Sequence, residues 1–83
     1  MPKIPRELSG RDLIKILQKY GYRATRQAGS HIRLTGNFKN IEHHITIPDH
    51  DIVKIGTLNK IIKEVANYLE IDKQILIKTF FNS

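Results

Sequence analysis

Cysteine and tryptophan are absent from the 83-residue sequence, and glycine and proline are sparse, at five and three. Without cysteine there is no disulfide framework, no zinc ribbon and no thiol nucleophile, so packing alone must hold the fold. Long apolar runs are missing too. Lysine breaks the longest of them, and none nears the roughly 20 apolar residues of a membrane span. The opening Met1-Pro2-Lys3-Ile4-Pro5-Arg6 carries charge without the apolar stretch of a signal peptide, so a soluble, cytoplasmic protein without an export signal is expected. No Gly-rich phosphate loop, dinucleotide fingerprint, HExxH or Gly-x-Ser-x-Gly element occurs. Nor is there an internal repeat, a low-complexity stretch or a linker, and the reading is one domain over residues 1–83.

Hydrophobic residues make up 40% of the chain, enough for a small core. The net charge of +6 is unevenly spread. Residues 1–33 hold eight basic side chains, all five arginines among them, against Glu7 and Asp12, whereas the remainder balances six lysines with six acids. Arginine's planar fork matches phosphate best, and an asymmetric basic surface points towards nucleic acid. The plainer alternative is a solvated face that keeps a small protein soluble.

Helix and strand signals follow one another cleanly. Ser9 with Asp12 three residues on resembles a capping box, and Leu8 and Leu13 occupy the positions of a hydrophobic staple. A helix is predicted from Gly10 to about Tyr20, with Leu13, Ile16, Leu17 and Tyr20 as its apolar stripe and Gly21 as its stop. Three strands should follow: Tyr22 to Gln27, a turn at Ala28-Gly29-Ser30, His31 to Thr35, a looser turn over Gly36 to Asn40, and Ile41 to Ile47 before Pro48. Leu58, Ile61, Ile62, Val65, Ala66 and Leu69 mark a second helix behind a Gly56-Thr57 cap. Asp72 then offers an N-cap for a short last helix in the apolar segment Ile71 to Phe81, which either completes the core or waits for a partner. The expected fold class is α+β: a two-layer α-β-β-β-α sandwich, its three-stranded antiparallel sheet carrying two helices on one face.

The other face of that sheet is then open to solvent, and strand alternation puts His31, Arg33, Glu42 and His44 on it. Four histidines are the only groups that titrate near neutrality, so acid–base chemistry at pH 7 runs most readily through one of them. His31 follows a tight turn, with Arg23, Arg26 and Arg33 close in sequence. A proton acceptor beside phosphate-binding cations is what metal-free RNA cleavage requires. An idle exposed strand histidine is the competing explanation. His43 and His44 are adjacent and face opposite ways, so His43 reads as half-buried core and His44 as an outward group that could approach His31 across the sheet. Asp49-His50-Asp51 suits a loop better than a metal cluster, and no metal is expected. His50 is a candidate second catalytic or phosphate-contacting group near the second helix's start, where Lys54 to Thr57 present free amides. Ser30 lacks an oxyanion hole and a properly placed base, which argues against a serine hydrolase.

Ser9-Gly10 ahead of a Leu/Ile-rich helix, Gly21-Tyr22, Arg26-Gln27-Ala28-Gly29-Ser30-His31, Ile45-Thr46-Ile47-Pro48 with His50, and Gly56-Thr57-Leu58 together resemble the HicA (YcfA-like) family of toxins from toxin–antitoxin pairs. The resemblance runs from about Ser9 to Leu69 and leaves residues 70–83 as an apolar extension. It implies a fold like a double-stranded-RNA-binding domain, mRNA-interferase activity and neutralisation by a cognate HicB-like antitoxin. The family's catalytic histidine, in Gly-Ser-His, corresponds to His31.

The leading reading is therefore an endoribonuclease that needs no metal and no cofactor. His31 is its catalytic residue, Arg26 and Arg33 supply charge stabilisation, and Lys15, Lys19 and His50 make further RNA contacts. Plain alternation groups Arg26 with Tyr22 and Ala24, which would make it structural or place it near the strand end. The alternative from another class is a non-catalytic RNA-binding module reading A-form geometry. A third reading is an interaction domain that docks a protein through its apolar tail.

Overall fold

The computed structural model of the protein describes residues 7–81, so Lys3 and Arg6 lie outside the described residues. The element order is α1 (Gly10–Gln18), β1 (Arg23–Ala28), β2 (His31–Phe38), β3 (Ile41–Pro48), α2 (Ile55–Leu69) and α3 (Lys73–Phe81), an α+β arrangement with the expected α-β-β-β-α order plus a last short helix. The described residues group into two compact units, 7–53 with α1 and the sheet, and 54–81 with α2 and α3.

In residues 7–53, Ser9 starts α1 as predicted: its hydroxyl accepts from the Asp12 amide at 3.0 Å, satisfying one of the first-turn donors that a helix leaves unpaired. The buried face is Gly10, Leu13, Ile14 and Leu17, one step round from the expected stripe, because Ile16 and Tyr20 are only half-buried. Gly10 sets that rotation. A Cβ there would collide with the Pro48 carbonyl, and the Gly10 amide donates to the His50 carbonyl at 2.9 Å, so the helix start lies directly against the end of β3. The helix closes two residues before Tyr20, and Gly21 follows at φ 94. The Tyr22 amide returns to the Leu17 carbonyl at 3.3 Å, the closure a left-handed glycine allows.

The three strands form one antiparallel sheet in the order β1-β2-β3. Ile32, Leu34, Ile45 and Ile47 are buried from one face, together with Tyr22, and α1 lies against β1 and β3. Gly36, read from sequence as the start of a loose turn, is instead a strand residue paired with His43. A Cβ on it would come within 2.9 Å of the Tyr22 ring, so glycine is what lets that tyrosine cross the sheet. The second hairpin turn shrinks accordingly to Lys39 and Asn40, both left-handed at φ 54 and φ 63, as a two-residue type I′ turn requires. Ile41, grouped by alternation with the buried face, is 63% exposed at the end of the sheet.

In residues 54–81 the six predicted apolar positions of α2, Leu58 to Leu69, are the six buried ones. The cap differs from expectation. The helix begins at Ile55 behind Lys54, with no side-chain cap, and the first backbone bond, Leu58 amide to Lys54 carbonyl, already encloses Gly56 and Thr57. Its end turns on Glu70 at φ 58, with the Ile71 amide bonded to the Ala66 carbonyl at 3.0 Å. Asp72 caps α3 as predicted, accepting from the Gln74 and Ile75 amides at 2.9 and 3.3 Å. Leu76, Ile77 and Phe80 are buried and α3 packs on α2. The apolar tail is therefore core rather than a bare docking surface, although Ile75 stays 59% exposed.

Candidate functional site

The sheet's open face is organised by cross-strand pairing, since directly paired residues of an antiparallel sheet project to the same side. His31, the first residue of β2, pairs with Ala28 on one side and Pro48 on the other. Two residues along, Arg33 pairs with Arg26 and Thr46. Two further on, Thr35 pairs with Arg23 and His44, and the next row holds Asn37 and Glu42. Successive rows are about 7 Å apart. Apart from half-buried Thr35 and Pro48, all of these side chains are exposed.

Arg26 belongs to this face only because β1 is irregular. The pairing runs Ala24 to Leu34 and then Arg26 to Arg33, so Thr25 is an extra residue on the β1 side, a β-bulge. The bulge reverses the alternation that had placed Arg26 with Ala24 and Tyr22. Thr25 also turns towards this face, where its hydroxyl meets the Thr35 hydroxyl at 2.8 Å and lies 3.4 Å from the Arg33 carbonyl. Thr35 in turn meets His44 Nδ1 at 3.0 Å. Arg23, the remaining cation of the face, reads from sequence only as a cation near His31, with no role of its own. Its pairing with Thr35 is what places it in this row.

The end of the sheet that carries His31 is fastened by its neighbours. The Asp49 amide donates to the Ser30 carbonyl at 2.7 Å, closing the strand end against the residue before His31. Both Asp49 carboxylate oxygens are taken by Arg11, at 3.1 Å from Nε and 3.1 Å from Nη2. With the Arg11 side chain 72% exposed, that ion pair contributes under about 1 kcal/mol, and its effect is to orient the loop. Asp49 thus shapes the loop through an arginine rather than through backbone amides. His50 follows within two residues of Pro48, the partner of His31, so His31 and exposed His50 share this end of the sheet.

Other candidates lie elsewhere. His44 is four residues from the His31 row, about 13 Å along the strand, so the two histidines do not meet. Half-buried His43 accepts or donates at Nδ1 with the buried Tyr22 hydroxyl, 2.8 Å away, as a core histidine should. Lys15 and Lys19 project from α1 and are exposed. Lys15 lines a groove of about 460 Å³ with Arg11, Gln18, Ala24, Gln27 and Ile32. Ala24, Gln27 and Ile32 belong to the covered side of the sheet, so the structure separates Lys15 from His31. Among the described residues no three His, Cys, Asp or Glu side chains gather in a group that could hold a metal ion, and no helix is long and apolar enough to cross a membrane.

These features define a small α+β protein that presents a cationic, histidine-bearing sheet face. A family model described as the HicA toxin of bacterial toxin–antitoxin pairs matches residues 10–66, a span that contains α1, the whole sheet and most of α2. The chain belongs to the HicA toxin family, and its family partner is a cognate antitoxin. No curated protein and no solved structure gives a significant match.

Proposed function

We propose that the protein is the toxin of its pair by virtue of endoribonuclease activity, an mRNA interferase that binds RNA on the open sheet face and cuts it without a metal. The observation that carries this reading is the register that gathers exposed His31, Arg26 and Arg33 on one face, in neighbouring rows. His31 takes the proton of a 2′-hydroxyl as that oxygen attacks the adjacent phosphorus. The bond to the 5′ oxygen breaks, and the departing oxygen collects a proton from water. The products are a 2′,3′-cyclic phosphate and a 5′-hydroxyl end. Negative charge grows on the non-bridging oxygens during attack, and the guanidinium groups of Arg26 and Arg33 stabilise it there. His50, at the same end of the sheet, lies within reach of the strand on the far side of the scissile bond. The cognate antitoxin silences the protein by covering this face.

Cleavage of a structured mRNA by the purified protein and by His31→Ala, both in EDTA and with binding followed at fixed salt, tests the proposal. Cutting by the unsubstituted protein alone, with equal binding by both, is the expected result. Binding without cutting by either would leave only an RNA-binding module.

A further inference from the structure

The row beyond the arginine pair has a structure of its own. Arg23 and His44 flank Thr35 as its two cross-strand partners, and a chain of contacts runs from His44 Nδ1 to the Thr35 hydroxyl at 3.0 Å and on to the Thr25 hydroxyl at 2.8 Å, which reaches the Arg33 carbonyl at 3.4 Å. With a proton on Nδ1 every donor in that chain finds an acceptor: Nδ1–H to Thr35, Thr35 O–H to Thr25, and Thr25 O–H to the Arg33 carbonyl. The imidazole is thereby held through its inner nitrogen, and in the imidazolium form Nε2–H, on an exposed ring, is the donor for a phosphate oxygen. The bulge at Thr25 is what supplies the last hydroxyl.

We infer that Arg23, Thr35 and His44 form a phosphate subsite for single-stranded RNA, about two nucleotides from the bond cut at His31. The inference rests on the RNA-cleaving role of His31 proposed above. Rows on this face recur every 7 Å or so, the order of spacing between successive phosphates of an extended strand. The scissile phosphate lies between the His31 row and the Arg26–Arg33 row, which share it, and the Arg23–His44 row takes a phosphate further along the same strand. Glu42 stands in the following row, opposite Asn37, and its carboxylate repels a further phosphate. No phenylalanine, tyrosine or tryptophan projects from the described rows of this face, so the track offers no stacking platform for bases. It holds backbone and carries little sequence information.

The test measures binding of tri- and heptauridylate by the His31→Ala protein, with and without Arg23→Ala or His44→Ala, over a range of salt. Heptauridylate should bind at least tenfold more tightly than triuridylate. Either added substitution should remove most of that advantage, and Arg23→Ala should reduce the salt slope by about 0.7 on the heptamer alone, the value for one phosphate contact on a single strand. Thr35→Val, which keeps a strand-forming side chain but removes the hydroxyl, should lose part of the advantage with an unchanged amide spectrum. Equal losses on both oligonucleotides, or none, would overturn the subsite. Failure of the unsubstituted protein to cut any RNA, with the length effect intact, would instead overturn the role given to His31.

Discussion

The two faces of one sheet divide the work of this molecule. The covered face is made of Ile32, Leu34, Ile45 and Ile47, each 7% exposed or less, and the open face of His31, Arg26, Arg33, Arg23 and His44. The same strands build both, so changes on the two faces should separate stability from activity. Residues whose side chains leave water contribute to folding in proportion to the area buried. Exposed side chains contribute little to folding and are free to serve a ligand.

The largest expected effect is on the open face. His31→Ala should lower RNA cleavage by a factor of about 10²–10⁴, the usual contribution of a general base, with a melting temperature within a degree or two of the unsubstituted protein. Leu34→Ala, on the covered face between the Arg33 and Thr35 rows and fully buried, should do the opposite: a loss of about 2–5 kcal/mol in urea unfolding. Its residual folded fraction should cut RNA normally. Arg33→Ala should reduce cleavage by about 10²-fold and leave the urea midpoint unchanged. Ser9→Ala, remote from both faces, should cost about 1 kcal/mol of stability through the lost cap and nothing in cleavage per folded molecule. A stability loss from His31→Ala as large as that from Leu34→Ala would blur the comparison beyond repair.

What could be read from the sequence follows the length scale of the signal. The stripe of α2 spans about three turns of helix, so its six buried positions were legible from spacing alone, and the caps at Ser9 and Asp72 were legible because a capping side chain acts within three residues. The placement of His31 and Arg33 on an exposed face needed only the alternation of one strand. Errors arose where a distant residue decides. Gly36 reads as a turn until Tyr22 is seen lying across it. The bulge at Thr25 is invisible without the partner strand, and with it went the true direction of Arg26; the pairing of Arg23 with Thr35 likewise needs the register. The rotation of α1 depends on Gly10 meeting Pro48, 38 residues away in the chain.

The division between the faces is tested most directly by mapping amide and side-chain chemical shifts as a 2′-methoxy oligoribonucleotide, which cannot be cut by attack of its own 2′-oxygen, is titrated into the protein. The account predicts the strongest changes at His31, Arg26 and Arg33, continuing through Arg23 and His44. Changes confined to Lys15, Lys19 and the groove beside α1, with the open face silent, would contradict it.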